Sequence, residues 1–351
     1  MKAASCSPLV EVTRGGIVES IHFGGFIVVN SEGNVLAFRG AKDLLTYPRS
    51  SMKPFQALPF IEDKGDLNFG FTDQEIAILC ASHAGTDRHV SVLQGMHEKV
   101  GIEEDDLGCG VHWPSDADTR QEMRTAGEEP TPFRHNCSGK HTGMLAYAVM
   151  EGWDKKTYLD PNHPVQVRIR EALAEMLMMD QDDLPFGIDG CSAPVYGIPM
   201  QNMAEAVARL ADPKALDQQR SAACKKITAA MMSHPVMVAG PGKFDTELMT
   251  TAEGKVFSKG GAEGYQIIGV MPGVIGEGSP GLGIAIKISD GDARGRARTY
   301  VSLLILRALG VLDETDLEAL KFDEKRRVKN WRGFEVGELR PAFAIDFAGG
   351  K

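Results

Sequence analysis

The sequence predicts a mixed α+β protein: an antiparallel sheet drawn from both ends of the chain, with a mainly helical lobe inserted between them. Two observations predict it. Short apolar runs divided by glycine and turn residues fill the first 40 residues and return after residue 250. Between them lie segments with helical spacing, capping residues and glycine stops. The 351 residues suit a single catalytic unit of two lobes, residues 1–48 plus 250–345 forming the sheet lobe and 49–249 the helical lobe.

Leu9–Val12, Gly16–His22, Phe26–Asn30 and Val35–Phe38 read as hairpin strands, broken by Gly-Gly and by Asn30-Ser31-Glu32-Gly33. Phe55–Ile61 reads as a helix starting near Arg49–Ser51, because Pro54 is tolerated only in a first turn; Pro59 should kink or shorten it. Thr72 and Glu75 form a capping box opening Gln74–Ser82. Thr86 or Asp87 caps a helix that runs to about Val100 and stops at Gly101. Residues 103–136 are acidic, proline-rich and aperiodic, and read as a long loop of the kind that often carries function. Helices follow at Lys140–Glu151, Pro164–Met179, Met200–Leu210 and Pro213–Met232. Strands return at Val256–Ser258, Gln266–Gly269 and Gly283–Ser289. Arg294–Leu309 is an amphipathic helix with Val301, Leu304, Ile305 and Ala308 on one stripe.

Composition narrows the class. Hydrophobic residues make up 43% and charged residues 25%, which excludes a disordered chain. A net charge of −10 argues against a nucleic-acid or anionic-membrane partner. No stretch reaches the roughly 18–20 apolar residues of a membrane span. Six cysteines are too few for a disulfide scaffold, Met1–Pro8 lacks a signal-peptide core, and no hydrophobic run precedes Cys6. These features lead to the expectation of a cytoplasmic protein with reduced thiols.

Four constellations could carry chemistry. In Arg49-Ser50-Ser51-Met52-Lys53, Ser50 and Lys53 are three apart and share one face of a helix start, whereas Ser51 points elsewhere. A serine needs a base, and a lysine is a base only where burial or a nearby cation favours the neutral amine. Helix-start N–H groups would favour an alkoxide or hold an oxyanion. The bland alternative is a capping serine and a decorating lysine. Ser82, in Cys80-Ala81-Ser82-His83-Ala84-Gly85, is either a polar group sent into a cleft or a helix-end turn residue. Lys259, in Ser258-Lys259-Gly260-Gly261, stands either beside backbone open to a ligand or on a surface turn. Together, in this order, the three elements resemble the serine β-lactamase and penicillin-binding layout. The middle element is Ser-His-Ala rather than Ser-Asp-Asn and the last is Lys-Gly-Gly rather than Lys-Thr-Gly, so lactam recognition is not expected. The fourth is His135-Asn136-Cys137-Ser138-Gly139-Lys140-His141 with Gly187-Ile188-Asp189-Gly190-Cys191-Ser192-Ala193-Pro194. Cys137 and Cys191 are either buried free thiols or zinc thiolates.

These segments, with Cys109-Gly-Val-His-Trp-Pro and Asp160-Pro-Asn-His-Pro-Val-Gln, resemble the rhizobial-type L-asparaginase II family over roughly residues 9–345. That family is distinct from the threonine-nucleophile and plant-type asparaginases. The resemblance implies a serine β-lactamase-like fold, a homodimer, and hydrolysis of L-asparagine to L-aspartate and ammonia. It implies Ser50 as nucleophile and Lys53 as its base, with Ser82 and Lys259 as a second Ser–Lys pair relaying protons. It implies zinc held by Cys137, Lys140 and Cys191, with Asp189 orienting that site, Arg49 and His141 lining the pocket, and the Gly260 backbone helping to hold the oxyanion. Two other readings of the same residues stay open: a zinc-bound water attacking a small amide, and a non-catalytic binding protein on a penicillin-recognising fold.

Overall fold

In the computed structural model, residues 5–345 are described. The chain divides into two compact units. Of the described residues, one holds 5–48, Ile198–Asp212 and 251–345; the other holds Arg49–Gly197 and Pro213–Thr250.

The first unit is built on an eight-stranded antiparallel sheet. Its strands are β1 (Ser7–Arg14), β2 (Ile17–Asn30), β3 (Val35–Arg39), β4 (Val256–Gly261), β5 (Tyr265–Val270), β6 (Leu282–Ile288), β7 (Arg327–Lys329) and β8 (Glu335–Pro341). The order is β7-β8-β1-β2-β6-β5-β4, with β3 also on β2. Both chain ends meet in it: Val10 pairs with Pro341, and Val28 with Ile284. All seven residues of β6 and all six of β5 are buried, which fits central strands covered on both faces.

Two strands expected before and after Gly24-Gly25 are one continuous β2 of 14 residues. The glycines do not turn the chain. Gly24 lies so close to β6 that a Cβ there would strike the Lys287 carbonyl oxygen, so glycine permits close pairing rather than a bend. The helix Met200–Ala211, expected in the helical lobe, belongs to this sheet unit. It packs on β6, β2 and β5, and at Gly283 the strand backbone touches the Ala204 carbonyl. The helix Ala297–Ala308 also packs on the sheet.

The second unit is helical. At its centre is Lys53–Glu62, with all ten residues buried. It packs against the helices Asp73–Leu79, Ser138–Glu151, Pro164–Leu177 and Gln218–Ser233. A helix apolar around most of its circumference must be enclosed, and this enclosure buries its one lysine and one glutamate. Glu62 is ion-paired to Arg220 at the far end. Pro59 lies inside this helix without ending it. The expected capping box at Thr72 and Glu75 forms.

The segment 103–136 is not a plain loop. It contains the helix Ala117–Ala126, capped by the Asp116 side chain on the Thr119 N–H, and short turns at Glu104–Asp106 and Pro132–Arg134. Among the described residues no helix is long and apolar enough to cross a membrane. Cys109, Cys137, Cys191 and Cys224 are buried thiols outside any disulfide.

Candidate active site

Arg49–Met52 forms a 3-10 turn leading into the central helix, and Arg49 adopts the left-handed backbone (φ 54°). Ser50 is half-buried in that turn, Ser51 is fully buried, and Lys53 opens the helix at 1% exposure. The Lys53 amine is 3.1 Å from Ser82 Oγ and donates to the Asn136 carbonyl at 3.2 Å and to the Ala81 carbonyl. Ser50 is not among its hydrogen-bond partners, so the amine expected at Ser50 is engaged with Ser82 instead. Two carbonyls can accept only N–H groups.

Ser82 follows the helix Asp73–Leu79 and is held by its own N–H on the Val238 carbonyl. The next residue, His83, anchors the loop. Its Nδ1 accepts from the Gly85 N–H at 3.1 Å, so Nε2 carries the proton that meets Ser138 Oγ at 2.8 Å. Burial first, then the charges of His89 and Lys53, hold His83 well below the usual imidazole range.

The segment 135–141 opens the Ser138–Glu151 helix, with Ser138, Gly139, Lys140, His141 and Thr142 all buried. Close approach sets this: a Cβ on Gly139 would strike the Ile78 carbonyl oxygen. Lys140 Nζ lies 3.0 Å from Cys191 Sγ. Burial opposes the Lys140 charge, but the sulfurs of Cys191 and Cys137 and the Asp189 carboxylate raise it on balance. Contact with Cys191 takes Cys137 well below the ordinary thiol range, against its burial. Burial pushes Cys109 up to about 12.

Cys191 and Asp189 sit in the loop of a hairpin formed by Phe186–Ile188 and Pro194–Tyr196. Arg49 donates from Nε at 2.9 Å and from a terminal nitrogen to one oxygen of Asp189. Burial would raise Asp189, yet the Arg49 bonds and the Lys140 charge keep it below the usual carboxylate range. His141 Nδ1 meets the Tyr158 hydroxyl at 2.6 Å, and that hydroxyl also accepts the Gly108 N–H. The other ring nitrogen, Nε2, is buried on the side of Cys191. Burial lowers His141 to about 4, with the Cys191 sulfur opposing the shift.

The helical unit thus brings together Arg49, Ser50, Lys53, Ser82, Cys137, Lys140, His141, Asp189 and Cys191. Lys259 and Gly260 belong to the sheet unit, on β4. Lys259 is 1% exposed and donates to the Gly260 carbonyl at 2.6 Å, so it stands in a strand interior and not on a surface turn. Sequence reasoning missed the carbonyls of Ala81 and Asn136, the anchoring role of His83, and Tyr158. Only His83 had a signal, as the neighbour of a singled-out serine.

Among the described residues no group of three or more His, Cys, Asp and Glu side chains is arranged to hold a metal ion. The set that includes a lysine does suit zinc chemically. Two thiols and an amine are sulfur and nitrogen donors of the kind zinc takes, the Lys140–Cys191 pair is already in contact, and the His141 Nε2 lies close to Cys191.

No curated protein matches the chain significantly. Among solved structures, one of a protein called Mglu matches at 11% identity and a TM-score of 0.43, covering 82% of this chain and 67% of that one. Mglu in its glutamate form gives 13% identity and a TM-score of 0.43, over 84% and 63% of the two chains. This chain therefore spans about two thirds of the Mglu chains. A probable glutaminase from Bacillus subtilis, complexed with 6-diazo-5-oxo-L-norleucine, gives 14% identity and a TM-score of 0.37, over 82% and 84%. The family described as L-asparaginase II matches residues 10–341, nearly the whole stretch over which the resemblance was expected, and the chain belongs to that family.

Proposed function

We propose that this protein hydrolyses L-asparagine to L-aspartate and ammonia through a serine ester. The observation that carries the proposal is the Lys53 amine, buried one helical turn after Ser50 and held by two carbonyls and the Ser82 hydroxyl. Ser50 Oγ attacks the side-chain amide carbon and gives up its proton to the Lys53 amine by way of the Ser82 hydroxyl that this amine contacts. The tetrahedral oxyanion is met by backbone N–H groups of the turn around Ser50. Ser82, in contact with Lys53, passes the proton to the amide nitrogen, the C–N bond breaks and ammonia leaves. Water then adds to the aspartyl ester, losing its proton to the same amine, which returns it to Ser50 Oγ as the C–O bond breaks. Lys259 and Gly260 enter this scheme on the family resemblance alone.

Cys137, Lys140 and Cys191 would hold zinc, and when bound the metal would act as a Lewis acid towards a substrate oxygen or amine. Around it, Asp189 aims Arg49 at the pocket, and His141 keeps Nε2 on the side of Cys191. Family resemblance also supports a homodimer, and the sparse, reduced cysteines support a cytoplasmic location.

Ammonia release from asparagine, glutamine and β-alanyl amide by wild type and Ser50→Ala tests the proposal. Asparagine should be preferred, although the single extra methylene of glutamine is worth only about 1–3 kcal/mol in a pocket. Ser50→Ala should fold normally and release no ammonia. Retention of most activity in a folded Ser50→Ala protein overturns the proposal.

A further inference from the structure

We propose that His112 is a positioning residue that holds the Asn136 carbonyl against the Lys53 amine. The inference rests on the role given to Lys53 above and extends it to Cys109-Gly-Val-His-Trp-Pro, a motif that the reaction scheme leaves unused.

Asn136 precedes Cys137 in an irregular stretch between the Pro132–Arg134 turn and the Ser138–Glu151 helix. Nothing in regular secondary structure fixes the direction of its carbonyl, yet that carbonyl accepts from Lys53 Nζ at 3.2 Å. Two imidazoles supply the constraint. His112 Nε2 accepts the Asn136 N–H at 3.1 Å, and His135 Nδ1 accepts the Cys137 N–H at 3.0 Å. Both N–H groups flanking the Asn136 carbonyl are therefore occupied, and the rings of His112 and His135 touch, with centroids 4.2 Å apart.

The His135 bond is local, two residues back, and travels with the segment. The His112 bond spans 24 residues and ties the segment to the rest of the unit. His112 has the correct tautomer for this. Its Nδ1 donates to the Trp113 carbonyl at 2.7 Å, which leaves Nε2 as the acceptor. The Trp113 ring lies under the Arg124 guanidinium at 5.0 Å, and the Pro114 carbonyl accepts from Arg120 at 2.7 Å, so the helix Ala117–Ala126 braces the segment that carries His112. The chain of restraint runs from that helix through His112 and Asn136 to the general base.

The test is steady-state kinetics on asparagine for His112→Ala and His112→Gln, with thermal midpoints for both and Lys53→Ala as reference. A glutamine amide oxygen reaches the place of Nε2 and can accept the same N–H. His112→Ala should lower kcat at least about tenfold, the scale of one lost positioning hydrogen bond, with KM within about twofold. His112→Gln should recover most of kcat, while the two variants share one thermal midpoint. The inference is overturned if His112→Ala leaves kcat unchanged, if the change falls on KM alone, or if His112→Gln is as slow as His112→Ala. Should Lys53→Ala itself stay active, the reaction scheme fails, and that outcome is distinct from an active His112→Ala beside an inactive Lys53→Ala.

Discussion

Arg49 and Asp189 illustrate how much a single pair can fix. Two guanidinium nitrogens converge on one carboxylate oxygen, in a turn where Arg49 adopts the left-handed backbone that residues other than glycine rarely take. A lysine keeps the charge but has no fork. Arg49→Lys should raise KM for asparagine about tenfold with a smaller change in kcat, and steady-state kinetics check this. At the thiols, Cys191→Ser should lose bound zinc while Ser50→Ala retains it, which metal analysis of the purified proteins decides. Residue identity made Lys53, Ser82 and the two cysteines legible in the sequence, because each carries chemistry in its side chain. The acceptors that hold Lys53 were illegible for the opposite reason. A carbonyl at Ala81 or Asn136 has no side-chain signature, and only the fold says which one meets the amine.

At the scale of elements, the legible parts were those with local signals. The Thr72 capping box, the central helix behind Pro54 and the returning strands all follow from short-range rules. The helix Ala117–Ala126 was lost because it buries only Thr119 and Met123, so no apolar stripe marks it. The continuous β2 was misread because Gly24-Gly25 is equally consistent with a turn and with a strand pressed against its neighbour. Gly139 is a similar contact point between helices. Its missing Cβ lets the Ser138–Glu151 helix touch the Ile78 carbonyl, which sets the depth of Lys140. Gly139→Ala should destabilise the protein by at least about 2 kcal/mol, read as a lower denaturant midpoint, because backbone rather than a flexible side chain must move.

For the whole molecule, buried histidines set the response to acid. His83, His89 and His97 are each lowered chiefly by burial, His97 to about 4. The folded state refuses protons that the unfolded chain accepts near pH 6.5. Stability from these groups is therefore full above that pH and is lost as the pH falls towards 4 and below. Each such imidazole contributes a slope of up to about 1.4 kcal/mol per pH unit, so the thermal midpoint should fall steeply from pH 6.5 to 4.5. A midpoint flat across that interval would show that these rings are not neutral in the fold.

The sheet has a consequence for biosynthesis. β1 cannot gain its partner β8 until some 325 residues later have been made, since Thr13 bonds to Glu338 and Val10 pairs with Pro341. At a ribosomal pace of about 5–20 residues per second, the earliest strands wait on the order of half a minute with one edge bare. A nascent chain stalled before β6 would leave the apolar half of β2, Gly24–Asn30, with a bare edge of the kind that pairs with other chains.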